Sequence, residues 1–240
     1  MAVDFLPSGD CGLTIQFGHT IDRALSGQIM ALRAAVDQAQ LAGVIETVPT
    51  YRSLLVHYDP LVTSQSALIA ALEPLLAHLD NTSDTQSRRW ILPVCFDAPF
   101  APDLESVAAH AEMDKQEVIG HLTSIEHFVY MLGFAPGLPY MGDLPERLAI
   151  PRRKTPIMGV PKGSVLVATG LTIIYPAVNP TGWHIVGRCP VPIFDLGKAD
   201  PVLLSPGDHV CFREVDLEQF QDIEAELAAG SYSIEEVKLP

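Results

Sequence analysis

The chain has 240 residues, 48% hydrophobic and 18% charged, and its 15 Lys+Arg against 29 Asp+Glu give a formal net charge of −14. This is a globular composition with material for one large domain or two small ones, and nothing in it suggests disorder. The average negative field repels DNA and RNA, so no nucleic-acid partner is expected, although a local basic pocket remains compatible with it.

In chain order, Leu13-Thr14-Ile15-Gln16-Phe17 alternates as a strand does. Ile21, Leu25, Ile29, Leu32 and Val36 then recur at three- and four-residue steps, which predicts an amphipathic helix with Gly43 as its stop. Residues 44–48 and 53–58 read as two strands joined by a turn at Pro49-Thr50. Residues 66–79 read as a second helix with Leu68, Ile69, Leu72, Leu75 and Leu76 inward and Pro74 as a kink or a new turn. The order strand, helix, two strands, helix predicts a split βαβ sandwich. Asn81-Thr82-Ser83-Asp84-Thr85-Gln86-Ser87 is polar throughout and reads as a linker, dividing the chain into domains 1–84 and 85–240.

Beyond the linker, residues 90–96 predict a strand, and 104–111 and 115–121 short helices, the second with a capping box from Asp114 and Glu117. Short β-rich runs follow at 164–168, 172–175, 184–187, 192–194 and 210–213. They are separated by Gly and Pro, including the turn Ser205-Pro206-Gly207-Asp208. Many short strands with turn signals predict a closed barrel or a sandwich rather than a parallel sheet. Leu217, Phe220, Ile223 and Leu227 mark a helix near the end. The fold class is therefore α+β.

Residues 130–141 are dense in Gly, Pro and aromatic residues, including Phe134, Pro136, Gly137 and Tyr140, and are expected to be neither a regular helix nor a central strand. Arg152, Arg153 and Lys154 are a basic cluster in an acidic chain. Guanidinium groups bind carboxylate or phosphate through paired hydrogen bonds, but the cluster can equally balance Asp143 and Glu146. Pro161-Lys162-Gly163-Ser164 resembles a tight turn entering a strand without the spacing of a phosphate loop. Tyr175-Pro176, Gly182-Trp183-His184 and Gly187-Arg188 complete a block that can line a pocket. No serine triad, no GxGxxG and no metal-ligand spacing is visible among His121, His127 and His184, so no metal is expected. The four cysteines form no CxxC pair, the first ten residues have neither a basic region nor an apolar run, and no stretch reaches about 18 apolar residues. A cytoplasmic protein with reduced thiols is the expectation.

Gly133-Phe134-x-Pro136-Gly137-x-x-Tyr140, Pro151-Arg152-Arg153, Val160-Pro161-x-Gly163-Ser164-Val165, Tyr175-Pro176, Gly182-Trp183, Gly187-Arg188 and Ser205-Pro206-Gly207-Asp208 occur in one order. Together with Gly9-Asp10-x-x-Leu13 they closely resemble the allophanate hydrolase subunit 1 family, that of the 5-oxoprolinase B subunit and the sporulation-kinase inhibitor KipI. Thr181 departs from the glycine common in the family at that position, which bears on the ligand. The resemblance implies a small α+β domain followed by a cyclophilin-like β-barrel. It implies a partner of the subunit 2 family and, in 5-oxoprolinase, a third subunit of the LamB/YcsF type, with ATP used by the complex to open 5-oxoproline to glutamate. It makes Arg152, Arg153 and Arg188 candidates for holding phosphate and substrate carboxylate, with Ser164 as a further substrate contact. His127 and Tyr140 are candidates for orienting the substrate or moving a proton, and Trp183 for a pocket wall. Phe134, Pro136, Gly137, Pro161, Gly163, Tyr175 and Gly182 are expected in a pocket or an interface. Two other roles fit the same family: inhibition of a sensor histidine kinase, and a carboxyltransferase-like component of urea metabolism.

Overall fold

The computed structural model describes residues 3–79 and 87–239. The expected linker at 81–87 therefore lies, but for Ser87, outside the described residues. The chain divides into two compact units, Met1–Thr85 and Gln86–Pro240.

The first unit runs β1 (Asp4–Pro7), β2 (Gly12–Gln16), α1 (Arg23–Ala39), β3 (Val44–Pro49), β4 (Ser53–Tyr58) and α2 (Gln65–Ala77). Its antiparallel sheet has the order β1-β2-β4-β3, so β4 is inserted between β2 and β3, the split βαβ expected. The strand that the sequence pattern does not announce is β1, which fills the remaining edge by pairing back on β2. Its residues are largely exposed, so no inward/outward period marks it. Leu13, Ile15, Ile29, Leu32, Val36, Leu54, Val56, Leu68 and Leu72 form the core, where the helical and strand periods converge. Gly43 does not stop α1. The helix ends at Gln40, which itself takes the left-handed conformation (φ 46°), and Gly43 serves the turn into β3. Pro74 lies inside α2 without ending it.

The second unit runs β5 (Arg88–Cys95), α3 (Leu104–Ala111), α4 (Lys115–Ser124), β6 (His127–Leu132), β7 (Pro139–Met141), β8 (Ile157–Val160), β9 (Ser164–Ala168), β10 (Leu171–Ile174), β11 (Asn179–Thr181), β12 (His184–Arg188), β13 (His209–Val215), α5 (Leu217–Ala229) and β14 (Glu235–Lys238). Seven strands close into a barrel in the order β12-β9-β10-β7-β6-β13-β5, sealed where Arg188 of β12 pairs with Cys95 of β5. β13 runs parallel to β5, and β14 takes the free stretch of β5 at Arg88–Ile91. The capping box of α4 forms as predicted, and α5 has a second from Asp216 and Gln219.

Two expectations fail. Residues 130–141 are a β-hairpin within the barrel wall. β6 and β7 flank a turn at residues 133–138, and Pro139 is tolerated because it opens its strand. The run at 192–194 is not a strand; only Phe194 makes an isolated bridge, to Val202.

β9 is buried on both faces. Val165 and Val167, with Ile174 and Val186, join the barrel interior, while Leu166 and Ala168, with Ile173 and Ile185, join a second cluster containing Leu138, Val160, Tyr175 and Trp183. This outer cluster floors a cleft on the barrel wall.

Asp208 organises one end of the barrel from a 2% exposed position. Its carboxylate accepts from the Trp90 indole Nε1 (2.9 Å), the Arg88 backbone N–H (3.1 Å) and the Ser205 backbone N–H (2.9 Å).

Candidate functional site

Two clefts formed by described residues of the barrel unit gather predicted site residues. The first, about 320 Å³, is lined by Phe134 and Leu138 of the 133–138 turn, Tyr140 of β7, Arg152, Ile173 of β10, Tyr175, and the run Pro180 to Trp183. The hairpin turn and the β8–β11 ribbon place these residues over the outer cluster. Trp183 and Tyr140 meet edge to face, with centroids 6.1 Å apart. The Tyr175 hydroxyl donates to the Pro180 carbonyl at 2.9 Å, and the Trp183 backbone N–H donates to Thr181 Oγ1 at 2.9 Å. Thr181 is thus a buried brace for the tryptophan as well as part of the lining.

Arg152 supplies the charge in this cleft. A Cβ on Gly182 would lie 3.5 Å from both Nε and one terminal nitrogen of Arg152, so the guanidinium packs directly over this position. Among the described residues no carboxylate pairs with Arg152. Burial pushes the Tyr140 and Tyr175 phenols above their ordinary range, with Arg152 acting in the opposite sense. Both rings are therefore neutral hydrogen-bonding groups at physiological pH.

The second cleft, about 400 Å³, is lined by Lys162, Gly163, Arg188, the run Cys189 to Pro192, and Glu224, Leu227 and Ala228 of α5. Gly163 has φ +79°, and a Cβ there would come within 2.3 Å of the Cys189 carbonyl oxygen. Backbone bonds tie the two runs together, with the Cys189 N–H donating to the Gly163 carbonyl at 2.8 Å. Gly163→Ala is expected to lower unfolding stability by about 2–3 kcal/mol, through a strained φ and a backbone collision. Chemical denaturation of the purified chain measures it.

The predicted residues are thus divided. Arg152, Tyr140, Trp183, Phe134, Tyr175 and Gly182 come together in the first cleft, and Arg188 and Gly163 in the second. Arg153 lines neither; its guanidinium pairs with Asp103, and its N–H bonds the Gly182 carbonyl at 2.7 Å. It holds the loop that presents Arg152. Ser164 is 1% exposed in β9, Gly137 is buried against Phe194, and Pro136 and Pro161 are exposed at turns.

His127 does not reach either cleft. It is fully buried on β6, packed at a 40° tilt against Phe212 with ring centroids 4.5 Å apart, with Nε2 donating to the Leu122 carbonyl at 2.9 Å. Nδ1 has no partner, and burial pushes the imidazole down to about 4, so it is a neutral core residue and not a proton carrier at the surface. The unfolded chain binds this proton near pH 6.5 and the folded chain only near 4. The stability His127 contributes is therefore complete above about pH 6.5 and is lost as pH falls toward 4, by up to about 3 kcal/mol. His127→Gln, which keeps the donor to Leu122 without titrating, is expected to show a shallower loss of stability over that window in denaturation curves.

Sequence order gives no sign of the wall supplied by α5 or of the Asp103 partner of Arg153. Both are distant in the chain, and no local signal marks them. Among the described residues no group of His, Cys, Asp and Glu is arranged to hold a metal ion, and no helix is long and apolar enough to cross a membrane.

Residues 3–204 match the family model "Carboxyltransferase domain, subdomain C and D". The chain belongs to this family. Within it, the 5-oxoprolinase B subunit of Bacillus subtilis (strain 168) is 35% identical over 214 residues, covering 85% of this chain and 89% of that protein. The crystal structure of TTHA0988 is 31% identical with a TM-score of 0.76, over 85% of this chain; the match spans 40% of that longer chain. The K. lactis urea amidolyase shares the fold over 99% of this chain at 23% identity, with a TM-score of 0.83, the match being 16% of its own chain.

Proposed function

We propose that this carboxyltransferase-family chain is the B subunit of an ATP-dependent 5-oxoprolinase complex, which opens 5-oxo-L-proline to L-glutamate. The observation that carries the reading is the Arg152 cleft in a chain that matches a 5-oxoprolinase B subunit over most of both lengths. The substrate is a small five-membered lactam bearing one carboxylate. A guanidinium with no carboxylate partner among the described residues suits the carboxylate, two neutral phenols suit the amide, and Leu138, Ile173 and Trp183 suit the ring methylenes.

In the overall reaction two waters are consumed: the lactam C–N bond breaks with net addition of one water, giving the new carboxylate and the amine, and ATP with the other gives ADP and phosphate. ATP activates the amide oxygen, because a lactam carbon is otherwise a poor electrophile. The residues of this chain bind and orient. Arg152 fixes the carboxylate, Trp183 and Tyr140 fix the plane of the ring, the Tyr140 hydroxyl hydrogen-bonds the amide, and the Tyr175 hydroxyl, its proton on the Pro180 carbonyl, accepts from the lactam N–H. The cleft holds no residue poised as a base, so the complex supplies one from another subunit. The partners in this reading are a subunit 2 family protein and a LamB/YcsF-type subunit, working in the cytoplasm, where all four free cysteines stay reduced.

The test is reconstitution with those two subunits and an assay of ADP release. Addition of 5-oxoproline is expected to stimulate ATP hydrolysis only when this chain is present. Hydrolysis indifferent to 5-oxoproline in the full assembly would remove the reading.

A further inference from the structure

The second cleft shares no lining residue with the first, and its chemistry differs. Arg188 lines it, with its guanidinium 4.6 Å from the centroid of the Phe100 ring. The ring covers one face of the cation, which directs its N–H edge elsewhere. Arg188 Nε is buried and has no hydrogen-bond partner, and among the described residues no carboxylate lies within ion-pair distance of the side chain. Glu224 acts on it only at longer range. A half-buried cation with an unsatisfied buried donor and no counter-charge is completed by an anion.

The surroundings are organised for the same end. The turn at Gly163 is pinned against Cys189, and the exposed Lys162 next to it lines the same cleft as Arg188. Two cations in the lining of one cleft stand out in a chain of net charge −14. Leu227 and Ala228 of α5, with Pro190 and Val191, supply an apolar shelf, and Glu224 is the single carboxylate in the lining. Cys189 also lines the cleft, but burial pushes its thiol up to about 12, so it is no nucleophile there.

We propose that the Arg188–Lys162 cleft binds the phosphate group of a small phosphorylated ligand whose body rests on the α5 shelf and donates a hydrogen bond to Glu224. A forked guanidinium beside a point-charge ammonium matches a phosphate's several oxygens, and 400 Å³ exceeds the needs of the phosphate alone. The ligand can be a nucleotide or a phosphorylated metabolite; the shared feature is the phosphate. This inference stands on the cleft alone and does not rest on the 5-oxoprolinase reading.

The experiment is calorimetric titration of the full chain with ATP, ribose 5-phosphate and inorganic phosphate. ATP and ribose 5-phosphate bracket the two sources, and inorganic phosphate reports the anion subsite. At least one of the organic phosphates is expected to bind more tightly than inorganic phosphate, with affinity falling as salt rises. Lys162→Gln, at the exposed rim where folding is undisturbed, and Arg188→Gln are each expected to weaken that binding about tenfold or more. Arg152→Gln, in the other cleft, is expected to leave it unchanged. Heat too small to fit for all three ligands at millimolar concentration overturns the proposal, as does binding that Lys162→Gln leaves intact.

Discussion

Arg152→Ala is expected to raise the KM for 5-oxoproline in the reconstituted complex about 10- to 150-fold, with kcat much less affected. The magnitude is that of a charge-assisted, forked hydrogen bond to a carboxylate, about 1.5–3 kcal/mol. The direction follows from what the carboxylate does during the reaction. It remains an anion held by the same group while the distant amide changes, so its contact contributes about equally in the ground and transition states. Arg152→Lys keeps the charge but not the planar fork, and is expected to recover part of the loss. Arg153→Ala is expected to differ. Its guanidinium is engaged by Asp103, so the substitution removes that anchor of the loop while the backbone bond to the Gly182 carbonyl and the Ile185 N–H on Asp103 remain. A steady-state series over 5-oxoproline concentration with the three variants separates binding from positioning. An unchanged KM for Arg152→Ala removes this residue from the site.

Asp208→Ala is expected to lower unfolding stability by about 3–4 kcal/mol, more than Gly163→Ala does. The carboxylate is buried and accepts three hydrogen bonds, from the Trp90 indole and from the backbone at Arg88 and Ser205. Alanine leaves those donors in the protein interior without acceptors, and each unsatisfied group costs about 1–3 kcal/mol. The Arg88 guanidinium, 3.8 Å from the same carboxylate, loses its counter-charge as well. Asp208→Asn keeps one acceptor oxygen and is expected to fall between the two. Thermal unfolding should show the transition of the Asp208→Ala chain lowered by about 10 °C, taking about 2–4 °C per kcal/mol.

The two helices and three of the four strands of the first unit are legible in the sequence because each has one buried and one exposed face, which the residue period reports directly. β1 is not, because an exposed edge strand has no such face. β14, with four exposed residues from Glu235 to Lys238, is the same case. In the barrel, β9 is legible for the opposite reason, since burial on both faces gives a continuous apolar run. The 130–141 hairpin is hidden because its Gly and Pro residues dominate the composition, while the strands they join are only six and three residues long.

At the site, the Gly-Pro-rich block does contain the residues of a cleft, but sequence order suggests one pocket with three arginines. The fold distributes them. Arg152 enters one cleft, Arg188 enters another, and Arg153 is consumed by Asp103, about fifty residues earlier. Their separation depends on which face of the barrel wall each side chain leaves, and on the distance between β12 and the loop before β8, neither of which is written locally. His127 shows the same limit. A histidine at the start of a strand looks available for chemistry until the Phe212 ring and the Leu122 carbonyl close over it.

The chain contains two tryptophans, and they make the central claim directly measurable. Trp183 lines the Arg152 cleft, while Trp90 is buried with its indole N–H on Asp208. With this subunit nitrogen-labelled in the assembled complex, each indole N–H gives its own NMR signal, assigned by Trp183→Phe. Titration with 5-oxoproline is expected to shift the Trp183 signal and leave that of Trp90 in place. A Trp183 signal unmoved at concentrations that saturate turnover would contradict the assignment of this cleft to the substrate.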